Sequence, residues 1–466
     1  MVVSPRDAVL SLWHDVELAP DLLDRLELTG AEPALPSSFA VGTASQCSLA
    51  AAAMAAVEVG RARGQADQAV AVDMREAALE CSGAFTVDGR KPVVWDPIAG
   101  LYACRGGGGR DWVRLHTNFA HHRDGVLRLL GLPPGPATTR AQVEAALTSW
   151  SALDFESAAA EAGLVVAALR DFETWKRHPA YGPVAAAPLI EITRIGDAPP
   201  FEWPQLAADA RPLEGIRVLD LTRILAGPVA GRTLAAYGAD VMLVNSPHLP
   251  NIDAIADTSR GKRSALADLR DPTDRDVFGA ALADAHVFLQ GYRPGSLQAL
   301  GFGADDAARI RPGIVCASLS AYGHSGPWAT RRGFDSLVQT ATGFNVDEAD
   351  AAGTTTPQPL PMQVLDMATA FLLALAIQVA LLRQRREGGS WHVQLSLART
   401  GLWLRSLGRV EEGFRAPPPD FSAQMEACDS GFGRLLALRH AARFSRTPAR
   451  YGRPSVRPGT DRLAWV

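Results

Sequence analysis

IRVLDLTRILAGPVAGRTLAAYGADVMLVNS, Ile216 to Ser246, is the stretch that decides the fold. IRVLDLT is an apolar run of strand length, AGPVAGRTLAAYG carries a helical pattern ending at Gly238, and DVMLVNS reads as a second strand. Strand, helix and strand within about thirty residues form a βαβ unit, which implies a parallel sheet because a same-direction return needs a crossover. HVFLQGY (His286 to Tyr292) and GIVCASLSAYG (Gly313 to Gly323) continue the alternation, with a helix expected around Asp274 to Ala285. The expected class is α/β with a Rossmann-like parallel sheet. Its first turn reads ILAGPVAG and lacks the GxGxxG spacing of a dinucleotide site, so NAD is not expected.

Upstream, GDAPPFEWPQLAADARPLEG (Gly196 to Gly215) is rich in proline and polar residues and reads as a boundary. Before it, DWVRLHTN (Asp111 to Asn118) alternates like a strand and TRAQVEAALTSWSALDFESAAAEAG is helical, which suggests a smaller α+β domain. The run Gly106 to Gly109 reads as a hairpin turn. A degenerate repeat is also present. SLAAAAMAAVEVG, RARGQADQ and AVAVDMREAALE follow the same order as the apolar helix ending at Leu382, RQRREGGS and WHVQLSLARTGLWL. The first copy has no acid between Pro33 and Val57, where the second has Asp366. The expected divisions are residues 1–90 (the degenerate repeat), 91–205 (the small domain) and 206–466 (the α/β domain).

A hydrophobic fraction of 47% and a charged fraction of 21% fit a soluble globular chain with ample core. A net charge of -4 lacks the basic surplus of a nucleic-acid binder. The cysteines Cys47, Cys81, Cys104, Cys316 and Cys428 are scattered and show neither zinc nor disulfide spacing, which fits a reducing, cytoplasmic setting. The opening MVVSPRDAVLSLWHDVEL has early acids and no long apolar core, unlike a signal peptide. Met367 to Leu382 is the longest apolar stretch, shorter than a membrane span, and is expected as a buried helix.

Asp366 stands where the apolar helix begins. An aspartate there is first a good N-cap, accepting from the free N–H groups of the first turn. The same donors and the helix dipole would hold it ionised and fixed, as a covalent nucleophile requires. Asp335, in GFDSLVQTATG, reads as a structural acid bonded to backbone N–H groups. Arg260, Lys262, Arg263 and Arg293 lie in loops suited to phosphates, and Pro294–Gly295 put the last of these at a strand's C-terminal end, where open α/β sheets bind ligands. His116, His121 and His122 lack a partner acid or cysteine at ligand spacing, so no metal is expected.

Taken together these segments resemble the family III coenzyme A transferases, the CaiB/BaiF family. The resemblance rests on PLEGIRVLDLTRILAGPVAGRTLAAYGADVMLV, GKRSALADLRD, VFLQGYRPGSLQALGFG, RPGIVCASLSAYGHSGPWATRRGFDSLVQTATG and PMQVLDMATAFLLALAIQVALLRQRREGGSWHVQLSL, in family order over about residues 212–400. WVRLHTNFAHHRDGVLRLLG is similar to part of the family's small domain, here placed ahead of the coenzyme-binding domain, so the usual segment order is altered. The resemblance implies CoA or acyl-CoA as substrate, a free carboxylic acid as the second small-molecule partner, and Asp366 as the catalytic nucleophile; it leaves room for a homodimer. It puts Arg223, Leu225, Ala226, Gly227, Arg263, Gly291, Tyr292, Arg293 and Arg332 at the coenzyme site. The alternatives are an acyl-CoA racemase or isomerase, and a paralogue that binds CoA without turnover. Two departures bear on them: Ser246 stands where many members carry an arginine, and Phe334 stands where the racemases carry a histidine.

Overall fold

The computed structural model describes residues 2–105 and 109–465, so Gly106 to Gly108 of the expected glycine turn lie outside the described residues. The principal sheet is built from β1 (Glu191–Gly196), β2 (Arg217–Leu221), β3 (Asp240–Asn245), β4 (Arg263–Leu266), β5 (Val287–Gln290), β6 (Val315–Ser320) and β7 (Ser390–Ser396). Its strand order is β4-β3-β2-β5-β6-β7-β1. β2 to β7 run parallel, and β1 closes one edge antiparallel to β7. This is the doubly wound order. Successive strands move outward one way from β2 and then the other way from β5, so a crevice opens at the C-terminal ends of those two strands.

α2 (Ala226–Ala236) and α4 (Val364–Glu387) pack on the sheet, α1 (Val41–Ala62) packs on α4, and α3 (Asp335–Ala341) precedes α4. α4 packs along both α1 and α2. The alanines Ala50 to Ala53, Ala55 and Ala56 of α1 are all fully buried, and their small side chains let the two backbones approach closely. Gln378 uses that approach: its Nε2 donates to Ala52 O of α1 at 3.0 Å and to Ala374 O at 2.9 Å. α4 is long and apolar enough to cross a membrane, but its apolar window is wholly buried inside the fold, as in the core helix of a soluble protein.

Both repeats read helix, strand, helix. α1 is followed by Val70–Asp73 and the helix Met74–Ser82, and α4 by β7 and the helix Leu397–Ser406. In each copy the strand gives way to a helix, over DMREAALE and LARTGLWL, because Asp73 and Ser396 accept from backbone N–H groups and start a new helix. The small domain pairs Gly100–Ala103, Trp112–Leu115 and Val166–Ala168 antiparallel. Its helices include Ala120–Leu129, Arg140–Leu147 and Ala152–Glu161, and they share a core around Val113, Leu127 and Phe155. The run expected as one helix from Arg140 is two, since Ser151 caps the second through Asp154 N. Strand pairing also crosses both expected divisions. β1 leaves the 91–205 segment for the large sheet, and Gly433–Leu438 and Arg443–Phe444 return to pair with Phe85–Val87 and Val70–Asp73. Each return covers a strand edge that would otherwise stay open.

Candidate active site

A cavity of about 410 Å³ lies at the crevice between β2 and β5. The loop after β2 brings Arg223, Leu225 and Ala226, and the loop after β5 brings Gly291, Tyr292 and Arg293. The segment before α3 adds Arg332 and Phe334, and the first turn of α4 adds Asp366. The small domain closes the space with Phe119, His121, His122 and Val165. Seven of the nine residues assigned to the coenzyme site by resemblance therefore meet in one cavity with Asp366, leaving out Gly227 and Arg263.

Gly227 is buried in the first turn of α2. A Cβ there would stand 2.5 Å from Thr222 Cβ, so this glycine lets α2 start against the end of β2 and does not line the cavity. Arg263 pairs with Asp240 at 3.1 Å on β4. The rest of the basic cluster is structural too. Lys262 is fully buried on Asp220 at 2.8 Å, and Arg260 is buried between Asp257 and Glu426 and lies over the Tyr451 ring. These cations are consumed by internal carboxylates, which basic composition alone does not reveal.

Asp366 differs from the expected cap. It sits at the third position of α4, and its side chain caps nothing. Asp335 takes that role: its Oδ2 accepts from Asp366 N at 2.9 Å and its Oδ1 accepts from Gln339 Nε2 at 2.5 Å. Among the described residues no protein donor bonds the Asp366 carboxylate, which leaves it free to face the cavity. Nor is the lowering of its pKa found that its place at a helix start leads one to expect. Burial and the neighbouring Asp335 charge raise its pKa well above the ordinary carboxylate range. Burial raises Asp335 to about 6, against the backbone and Gln339 hydrogen bonds that favour its charged form.

The same cavity is also lined by arginines. Burial, then the charge of Arg293, lowers the Arg332 pKa. Arg223 donates to Pro250 O and lies over the Phe119 ring. Among the described residues none of Arg223, Arg293 and Arg332 has a carboxylate partner. Arg331 beside them is neutralised by Glu156 at 3.2 Å. Burial holds His122 down at about 3, with His121, Arg332 and Arg223 adding to the shift, so the ring is neutral at physiological pH. His116 stacks on Phe334 at 4.0 Å and fixes that wall. Sequence reasoning weighed His116, His121 and His122 only as metal ligands and did not place Phe119 or Val165 at all. The small domain packs over the cavity through contacts distant in sequence, and no local pattern announces that. Among the described residues no His, Cys, Asp and Glu group is arranged to hold a metal.

A second cavity of about 640 Å³ shares Leu249 with the first and is lined by Arg90, Lys91 and Arg457 beside Ser246. In the first copy of the repeat the third position of α1 is Thr43, and Glu32 accepts from its N–H at 2.6 Å, as Asp335 does for Asp366. Glu32 lies just outside the stretch that reads as free of acids. It supplies the cap while Thr43 supplies no carboxylate.

The doubly wound sheet thus brings three arginines and the Asp366 carboxylate into one cavity at its switch point. Residues 213–418 match the family model for CoA-transferase family III. It is 34% identical over 211 residues to a probable fatty acyl-CoA transferase of Mycobacterium tuberculosis, covering 42% of this chain and 53% of that protein. It is 31% identical over 208 residues to the mouse succinyl-CoA:glutarate CoA-transferase, covering 42% and 47%. A crystal structure of a CAIB/BAIF family protein from Brucella suis aligns over 48% of this chain and 65% of that one, with 27% identity and a TM-score of 0.38. The chain spans about half the length of the curated relatives it matches.

Proposed function

We propose that this protein moves coenzyme A from an acyl-CoA to a free carboxylic acid through covalent intermediates on Asp366. The observation that carries the reading is one cavity that gathers the Asp366 carboxylate, which no donor among the described residues bonds, and three guanidiniums with no carboxylate partner among the described residues. Phosphates held by the guanidiniums would bring a thioester into the cavity that holds Asp366. An oxygen of the Asp366 carboxylate attacks the thioester carbonyl, the C–S bond breaks, and CoA leaves as the thiolate, giving a mixed anhydride. The thiolate attacks the aspartyl carbonyl and releases the donor acid, leaving an aspartyl-CoA thioester. The acceptor carboxylate attacks that thioester to form a second anhydride, and the thiolate attacks the acceptor's carbonyl, which frees Asp366 and yields the new acyl-CoA.

The test is interception. Wild-type protein incubated with acyl-CoA and hydroxylamine should carry a hydroxamate at Asp366 by peptide mass spectrometry, and Asp366→Asn should carry none. Transfer at a near-normal rate by Asp366→Asn would overturn the mechanism. Deuterium entering the α carbon without CoA exchange would favour the racemase reading instead.

A further inference from the structure

We infer that Arg90, Lys91 and Arg457 form a second anion site that takes the ribose 3′-phosphate of the coenzyme, so that the protein discriminates coenzyme A from its 3′-dephospho form. The inference rests on the proposed CoA reading and deepens it. The first cavity, about 410 Å³, lies near the small end of ligand pockets, which run from about 300 to 1,000 Å³. Coenzyme A is an extended chain of thiol arm, diphosphate and nucleoside 3′-phosphate, larger than a drug-sized ligand, so part of it lies outside that cavity. The second cavity, about 640 Å³, adjoins the first. Leu249 lines both. A narrow cleft also joins them, sharing Arg223 and Ile224 with the first and Asn251, Ile252 and Ile255 with the second. The Arg223 guanidinium reaches across as well, donating to Pro250 O on the wall of the second cavity.

Three cations and one acid line the second cavity. The acid, Asp253, accepts from Val93 N at 3.3 Å. Among the described residues Arg90, Lys91 and Arg457 have no carboxylate partner. By contrast, Arg434 and Arg453 of the same C-terminal return pair with Asp429 at 2.9 Å and Asp461 at 3.1 Å. Strand pairing assembles the three cations. Phe85–Val87 pairs with Gly433–Leu438, and Arg90 N donates to Val87 O at 2.9 Å, which fixes Arg90 at the turn and sets Lys91 beside it. Gly431, before the second of these strands, donates through its N to Ser455 O at 2.9 Å and accepts from Arg457 Nε at 3.0 Å. Arg457 also lies over the Phe432 ring. Residues 90, 91 and 457 all fall outside the stretch 213–418 that matches the family model, so the site is a product of this chain's N-terminal copy and C-terminal return. A phosphate dianion suits guanidinium and ammonium groups that no carboxylate claims. Pro247, Pro250, Phe432 and Pro458 offer the faces of a base apolar surface in the same cavity.

The experiment titrates CoA and 3′-dephospho-CoA, which differ by one phosphate, into the full chain by calorimetry. The three side chains are exposed, so each contact is screened and the preference is moderate. At low ionic strength the wild type should bind CoA about tenfold tighter, and added salt should shrink that ratio. In a variant carrying Arg90→Gln, Lys91→Gln and Arg457→Gln the ratio should fall to about two or less, through weaker binding of CoA, while the affinity for 3′-dephospho-CoA moves by less than about threefold. Arg457 also holds Gly431 O, so Arg90→Gln with Lys91→Gln alone is the second variant, and its ratio should fall to about three. A wild-type ratio near one, or a ratio that both variants keep, overturns the inference; CoA transfer retained beside either result leaves the transferase reading standing. A preference for CoA carried by these cations, with no transfer and no hydroxamate from acyl-CoA, sinks the transferase reading and leaves the phosphate site standing. If neither ligand binds, both fall.

Discussion

Replacing Asp335 with asparagine isolates the charge that Asp366 feels. The wild-type side chain holds the Asp366 N–H at 2.9 Å and accepts from Gln339 Nε2 at 2.5 Å. Asparagine keeps the shape and one acceptor oxygen. It turns an amide towards either Gln339 or the Asp366 N–H, since Gln339 Oε1 is already occupied by Leu360 N. One unsatisfied buried donor costs about 1–3 kcal/mol, so the variant should fold with reduced stability. The electrostatic change is larger at the site. Two unit charges about 5 Å apart, in an effective dielectric of about 20, repel by about 3 kcal/mol, or about two pH units. Burial remains, and Asp335 is itself partly protonated near its pKa of about 6, so the net change should be about one to two units. The attacking form of Asp366 is the carboxylate, so kcat/KM should fall on the acid side, and that limb should move to lower pH in the variant. A pH series of kcat/KM from 4.5 to 9 with one acyl-CoA donor measures it. An unmoved limb would mean that the Asp335 charge does not reach the reacting group. Stability gives a second readout with its own sign. Both acids are raised above their unfolded values, so the folded state binds more protons than the unfolded chain. The stabilisation is full below about pH 4 and is lost as pH rises through the folded values. Denaturant unfolding at pH 5 and 8 should show a smaller loss in Asp335→Asn than in the wild type.

Asp366→Asn should keep its fold, because the side chain bonds no donor, and should lose transfer by about three or more powers of ten. Arg332→Ala should raise the acyl-CoA KM by about ten- to a hundredfold with a smaller effect on kcat, and added salt should mimic it in the wild type. Gln46→Ala should leave the chemical step intact, yet lower stability by about 1–3 kcal/mol in urea unfolding, since Gln46 Nε2 ties Thr29 O and Val72 O at 2.8 Å each. Gly227→Ala should weaken CoA binding by displacing the start of α2, because its Cβ would meet Thr222.

The βαβ alternation was legible because strands buried on both faces read as unbroken apolar runs, and Ile216 to Ser246 holds one whole unit. The place of Asp366 was legible through the family pattern and the start of an apolar helix. Its electrostatic state was not. The cap came from Asp335, 31 residues earlier, and the like charge that raises its pKa came with it. Arg260, Lys262 and Arg263 read as ligand contacts because sequence shows charge but not its partners; Asp220, Asp240, Asp257 and Glu426 claim them from other elements. The small-domain wall, with Phe119, His121 and Val165, was hidden for the same reason: its meeting with the β2 and β5 loops is a product of tertiary packing.

The pairing of α1 with α4 fixes an order of events during synthesis. Gln378 bonds the backbone of Ala52 across 326 residues of chain. At about 5–20 residues per second, the ribosome delivers α4 roughly 15–65 s after α1. For that interval the alanine face of α1, buried to the last side chain in the finished molecule, has no partner to cover it. Contacts this far apart in sequence also close slowly once both halves exist. A nascent chain halted before α4 is therefore a sticky one, dependent on chaperones to keep its first long helix from finding another copy.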